Sequence, residues 1–203
     1  MIRSRLITAS RWLGLCAALL VAGPAAADRL TWQLDLDSGQ IPNGLSSSNG
    51  LGQAWLDYNT DTDHLSVLVS WTALEGDLTG IHIHGPAGPA EGTRTHILDI
   101  FGEATDIPSG LDRRTDHHSA LFHLGEAHGE DEIPHGDGHL PLAQALDAMA
   151  SGQAFVMFHS EAYLDGELRG QLPLATLVPE PSTSGLVGIG LAAAIAVGRR
   201  RTT

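Results

Sequence analysis

Between residues 28 and 177 apolar and polar residues alternate with a period of two, and that alternation leaves little choice of fold. In RLTWQLDL (29–36), Leu30, Trp32, Leu34 and Leu36 are separated by polar neighbours. GQAWLDYN (52–59) and HLSVLVSWTAL (64–74) repeat the pattern on either side of a TDTD turn. TGIHIHG, RTHILDI, AFVMFH and GELRGQLPL continue it. Successive side chains of a strand point to opposite faces, so each segment offers one face to a core and the other outward. Only PLAQALDAMASG (141–152) has a helical period, with Leu142, Ala145, Leu146 and Met149 on one side. Pro141 suits its first turn and Gly152 its end. Short strands separated by Gly, Pro and Asp turns predict an all-β fold: an antiparallel β-sandwich or Greek-key barrel with one short helix. A length of about 150 residues suits one domain.

The two ends read as targeting segments. Arg3, Arg5 and Arg11 precede the apolar run WLGLCAALLVAG, and Pro24 breaks it before Ala25, Ala26 and Ala27. This is the pattern of a signal peptide over 1–27, with Ala25 and Ala27 as the small residues before the cut and Asp28 as the mature start. The chain's one cysteine, Cys16, lies inside that segment, so the exported domain is expected to fold without a disulfide. At the other end, Val178-Pro179-Glu180-Pro181 is followed by an apolar run from Gly185 to Gly198 and by Arg199, Arg200 and Arg201. The arginines should stay cytoplasmic while the short apolar helix sits transiently in the inner membrane. Residues 178–203 closely resemble the PEP-CTERM sorting signal, with its Pro-Glu-Pro motif, transmembrane helix and Arg cluster. The resemblance implies an exosortase-type partner in a Gram-negative bacterium and a destination at the cell surface or in the extracellular matrix.

The domain between these ends is acidic. It holds all but one of the chain's 24 acidic residues and only five of its 11 arginines, and the chain has no lysine. Such a surface should repel nucleic acid and attract divalent cations, besides keeping an exported protein soluble. Segment 112–139, DRRTDHHSALFHLGEAHGEDEIPHGDGH, concentrates six histidines among acids and glycines and reads as a long His- and acid-rich loop.

Histidine placement carries the candidate chemistry. On a strand, His82 and His84 share one face and Ile81 and Ile83 the other; the isoleucines belong in the core, which leaves both imidazoles on the outer face. Two imidazoles so spaced can reach one copper or zinc ion. His159 closes another strand and would supply a third nitrogen if the strands are neighbours. His96 is a further candidate if its strand folds back. The alternative is that these histidines are hydrogen-bonded fold determinants at a strand–turn junction. Arg169 reads as a structural partner for a carboxylate, and Glu167, after the turn at Asp165-Gly166, as a surface acid. No nucleophile elbow, phosphate-cradling glycine loop or H-E-x-x-H is present, and no catalytic residue is assigned.

Taken in order, these segments resemble the CHRD domain over almost all of 30–174. The resemblance rests on Gly52 to Ala54, on H-I-H-G-P-A at His82 to Ala87, on the strand Phe155 to Ser160, and on G-E-L-R-G-Q-L at Gly166 to Leu172. Phe155 and Met157 replace the family's usual Tyr and Asn, and the His-rich insert is additional. The resemblance implies an exported all-β module and no established biochemical activity; a binding or structural role at the surface, with extracellular polysaccharide or surface proteins as partners, is the expectation for such a module. The layout of an H-x-H strand, a His-rich loop and a late histidine also resembles Cu/Zn superoxide dismutase distantly. That likeness implies a copper or copper/zinc enzyme, with His135 and Asp137 as loop ligands and His96 as a bridge. A third expectation is an extracytoplasmic metal buffer using the loop.

Overall fold

A computed structural model describes residues 28–92, 95–124 and 140–179. The signal segment with Ala25 and Ala27, most of the histidine loop with His135 and Asp137, and the tail from Glu180 through Pro181 to Arg199, Arg200 and Arg201 lie outside the described residues.

Among the described residues nine strands and one α-helix follow in order: β1 (Asp28–Leu36), β2 (Leu51–Asn59), β3 (His64–Thr72), β4 (Leu78–His84), β5 (His96–Phe101), β6 (Asp116–His123), α1 (Leu142–Ala150), β7 (Phe155–Ser160), β8 (Leu168–Gln171) and β9 (Thr176–Pro179). They form two antiparallel sheets, a five-stranded one in the order β6-β3-β2-β1-β9 and a four-stranded one in the order β5-β4-β7-β8. The all-β sandwich with a single short helix is therefore the observed architecture.

The inward residues are those the alternation selects. Trp32, Leu34, Leu56, Val67, Val69 and Trp71 of the five-stranded sheet meet Ile81, Ile83, Val156, Phe158 and Leu168 of the other, all buried in one cluster. The Trp71 ring meets Phe158 edge-on at 6.0 Å. Helix α1 packs Ala145, Ala148 and Met149 onto this core. The indole of Trp32 donates to the Met149 carbonyl at 3.1 Å, tying the helix's last turn to β1. Gly152 then takes a positive φ of 74°, the left-handed turn that ends a helix. At one corner the sheets are stitched together, Asp37 and Arg169 exchanging backbone hydrogen bonds of 3.1 Å. Gly170 permits this approach, since a Cβ there would lie 2.8 Å from the Asp35 carbonyl.

The reading of 112–139 as loop throughout is corrected by β6, which pairs with β3 from Asp116 to His123. His118, Ala120 and Phe122 point inward, and the ring of His118 meets Phe101 at 4.6 Å. An edge strand needs little apolar content, so a polar Asp-His-His-Ser stretch can pair without a strong alternation. β9 was likewise not expected. It adds the edge strand on the other side, with Asp28 opposite Pro179 and Thr31 opposite Thr176.

Candidate metal centre

β4 lies between β5 and β7, so its outer-face residues meet side chains from both neighbours. Gly80 of β4 pairs with His159 of β7, and His84 pairs with His96 of β5. The four histidines thus converge. The His82 ring lies 4.2 Å from that of His96 and 4.8 Å from that of His159; the His84 ring lies 4.5 Å from His96 and 5.8 Å from His159. Gly80 makes the space: a Cβ there would stand 3.1 Å from His82 Nε2.

His82 and His84 lie on the outer face of their sheet, as the alternation requires, yet they are 7% and 3% exposed. The rings of His96, His159 and Phe155 pack against them, and the segments 37–50 and 85–92 rise beside that face as a rim. Arg169 holds the rim in place. Its guanidinium, buried and 4.0 Å above the Phe155 ring, donates to the carbonyls of Gln40 (3.1 Å), Pro89 (2.8 Å) and Gly88 (2.9 Å) and to Gln171 Oε1 (2.6 Å). Gln171 extends the clamp by donating to the Ala87 carbonyl at 2.9 Å. Arg169 therefore pairs with carbonyls rather than with the expected carboxylate, because it gathers two loops whose backbone acceptors would otherwise be stranded. Phe155 in turn stacks on His84 at 5.1 Å, so guanidinium, phenyl and imidazole form one column.

Glu167 also departs from expectation. It is fully buried, its Oε1 accepting from Ser48 Oγ and from the Glu75 backbone N–H, both at 2.6 Å. The turn that suggested a surface acid lies beneath the 46–50 segment. Glu167 serves as an anchor for that segment.

The hydrogen bonds fix the ring tautomers. His82 Nε2 faces the Gly102 carbonyl at 3.3 Å, His159 Nδ1 the Leu164 carbonyl at 2.8 Å, and His96 Nδ1 the Asp99 carboxylate at 2.8 Å. A ring nitrogen facing such an acceptor carries the proton, which leaves the other nitrogen's lone pair free. His82 Nδ1 and His159 Nε2 are buried without a hydrogen bond, and the His84 ring interacts with the Thr95 backbone. One ligand atom from each of His82, His84 and His159 falls in a group spanning at most 4.8 Å. Bonds of about 2.0–2.1 Å to a shared zinc would draw them slightly closer. A second such group is His82, His96 and Asp99.

Burial sets the charge state. Desolvation, reinforced by the neighbouring imidazoles of His96, His159 and His82, pushes His84 down to about 2. Desolvation and the fields of His159 and His96 lower His82 to about 4, and desolvation also lowers His159. These rings are neutral at pH 7, the state in which imidazole binds a metal. Above them opens a cleft of about 720 Å³, walled in part by Ile41, Phe155, Met157 and Leu164.

Of the residues singled out in the sequence, His82, His84, His159 and His96 are brought together. Pro179 is the last residue of β9. Asp99 is the neighbour that was missed. In HILD it stands an odd number of residues from His96, which on a regular strand places the two on opposite faces. Among the described residues no helix is long and apolar enough to cross a membrane.

Two antiparallel sheets with a buried histidine cluster on one outer face, followed directly by a sorting sequence, define a β-sandwich module made for export. The chain belongs to the CHRD domain family, whose profile matches residues 32–172. A PEP-CTERM protein-sorting motif matches residues 177–201, beginning inside β9. The motif marks a protein exported across the membrane to the cell surface and implies recognition by exosortase-type machinery. No curated protein and no solved structure matches the chain.

Proposed function

We propose that this surface-sorted domain is a metal-binding module that holds one copper or zinc ion through His82, His84 and His159. The observation that carries the reading is that His82, His84 and His159 each offer a ligand atom within 4.8 Å of the others, with His82 Nδ1 and His159 Nε2 buried and without hydrogen bonds. A buried polar atom so left costs about 1–3 kcal/mol, a burden that a purely structural role does not repay. An all-imidazole donor set suits copper or zinc. The module works at the surface of a Gram-negative cell after a transient stay of its C-terminal apolar segment in the inner membrane, with polysaccharide or other surface proteins as its setting. The dismutase-like alternative is not favoured, since Arg169 directs its donors at carbonyls and no residue of the cleft is assigned to catalysis. The buffer alternative relied on His135 and Asp137, which lie outside the described residues.

Metal analysis of the chelator-washed, reloaded protein tests the proposal. The expected result is tight retention that falls at least about 100-fold in His84→Ala and in His159→Ala. Equal retention by the wild type and both variants, each folded by circular dichroism, rejects the three-histidine site.

A further inference from the structure

Trp32, Trp55 and Trp71 all lie in the β domain, but they are used in two ways. Trp32 and Trp71 point into the core, and each indole donates to a carbonyl, of Met149 at 3.1 Å and of Asp112 at 3.2 Å. Trp55 lies half-buried on the outer face of the five-stranded sheet. Among the described residues its indole N–H has no hydrogen-bond partner. Tryptophan is largely buried in most folds and is enriched at binding surfaces, where the ring is covered and its N–H stays wet.

The surroundings of Trp55 are polar and ordered. Across the strands it stands opposite Gln33 of β1 and Leu68 of β3, and Leu68 stands opposite Ser119 of β6. Along β2, Gln53 and Asp57 lie two residues to either side and share its face. Both are held in place: the Gln53 amide donates to Asp35 Oδ1 at 3.0 Å, and Arg29 Nε donates to Asp57 Oδ1 at 2.8 Å. An open groove of about 560 Å³ runs from Trp55 and Asp57 past Ser66 and Leu68 to Ser119 and Leu121. With strands about 4.8 Å apart, the row from Gln33 to Ser119 is about 14 Å long.

We propose that this face binds a neutral glycan, with Trp55 as the platform for one sugar ring. A pyranose has an apolar C–H face and a rim of hydroxyls. The indole gives the first a flat apolar surface, and the amides, carboxylates and serine hydroxyls around it give the second donors and acceptors. A protein partner fits less well, because the core of a protein interface is depleted in charge and the Asp57 carboxylate lines this groove. An acidic polymer is repelled by the same carboxylate and by the domain's excess of acids. The site lies on the sheet opposite the histidine cluster and needs no metal; from the reading above it takes only the polysaccharide setting.

Native affinity electrophoresis of the full-length protein through gels holding hydroxyethylcellulose, laminarin or galactomannan tests this, with alginate as the acidic control. At least one neutral polymer should retard the wild type, and alginate should not. Trp55→Ala should weaken the retention about 10-fold or more, and Trp55→Phe should keep most of it. Gln33→Ala, at an exposed position, should weaken it by a smaller factor, so the test does not hang on one change at a half-buried ring. Chelator treatment should leave retention unaltered. No retardation by any neutral polymer, equal retardation of folded Trp55→Ala, or a preference for alginate overturns the proposal. Retention lost on chelation overturns it too, by moving the binding to the histidine cluster. A concentration-dependent dimer that Trp55→Ala disperses assigns the face to a second copy of this chain, with the same result.

Discussion

The outer faces of the two sheets carry similar residues under opposite conditions. On the five-stranded sheet, Gln33, Trp55, Leu68 and Ser119 form a row across four strands, and Leu68 and Leu121 are 40% and 64% exposed. There His64 and His123 are a direct cross-strand pair whose rings stack at 4.5 Å. On the four-stranded sheet His82 and His84 occupy equivalent outward positions, yet they are buried among neighbouring rings at the floor of a cleft that the 37–50 and 85–92 segments wall. Both faces obey the same period of two. The difference lies in the neighbours, His96, His159 and Phe155 together with the rim of the cleft, which strip water from the imidazoles and hold them neutral. A histidine pair on a strand becomes a candidate ligand set when its neighbours bury it.

The comparison breaks most readily at Arg169. Arg169→Ala removes the donors that pin Gln40, Gly88 and Pro89, leaving buried carbonyls unpaired. It should cost about 3 kcal/mol or more in urea unfolding, with metal retention lost alongside. An equivalent loss for a polar residue of the uncovered face, such as Gln33→Ala, would mean that the rim has no special weight.

Acid should act next most strongly. In the unfolded chain the histidines take up protons near pH 6.5, whereas His82 in the fold does so only at about 4 and His84 at about 2. The unfolded state therefore binds more protons below about pH 6.5, and stability must fall as pH drops. For the metal-free protein each of these rings should contribute a slope of about 1.4 kcal/mol per pH unit between pH 6.5 and its folded value. Stability should be flat with respect to these rings above that range. Denaturant midpoints at pH 7.5, 6 and 5 check the trend, and His84→Gln should flatten it. The smallest effect belongs to the open face: Leu121→Ser should change stability by no more than about 0.5 kcal/mol and leave metal retention unaltered.

The strands, the helix and the inward residues were legible because alternation reports which way a side chain faces. It does not report what lies above that face, so the burial of His82, His84 and Glu167 was invisible, and the carbonyl partners of Arg169 equally so. Those partners come from Gln40, Gly88 and Pro89, remote in sequence and without a charge to advertise them. Asp99 was hidden for a different reason. A bulge in β5 between His96 and Leu98 changes the parity of the strand, and HILD contains no glycine or proline to signal one. β6 escaped because its few apolar residues are diluted by histidine and aspartate.

The pairing of Asp28 with Pro179 closes the described domain on itself. Its first and last strands lie side by side, so the chain enters and leaves the sandwich at one corner. A change confined to either join disturbs the ladder between β1 and β9 and leaves the packing between the sheets as it is.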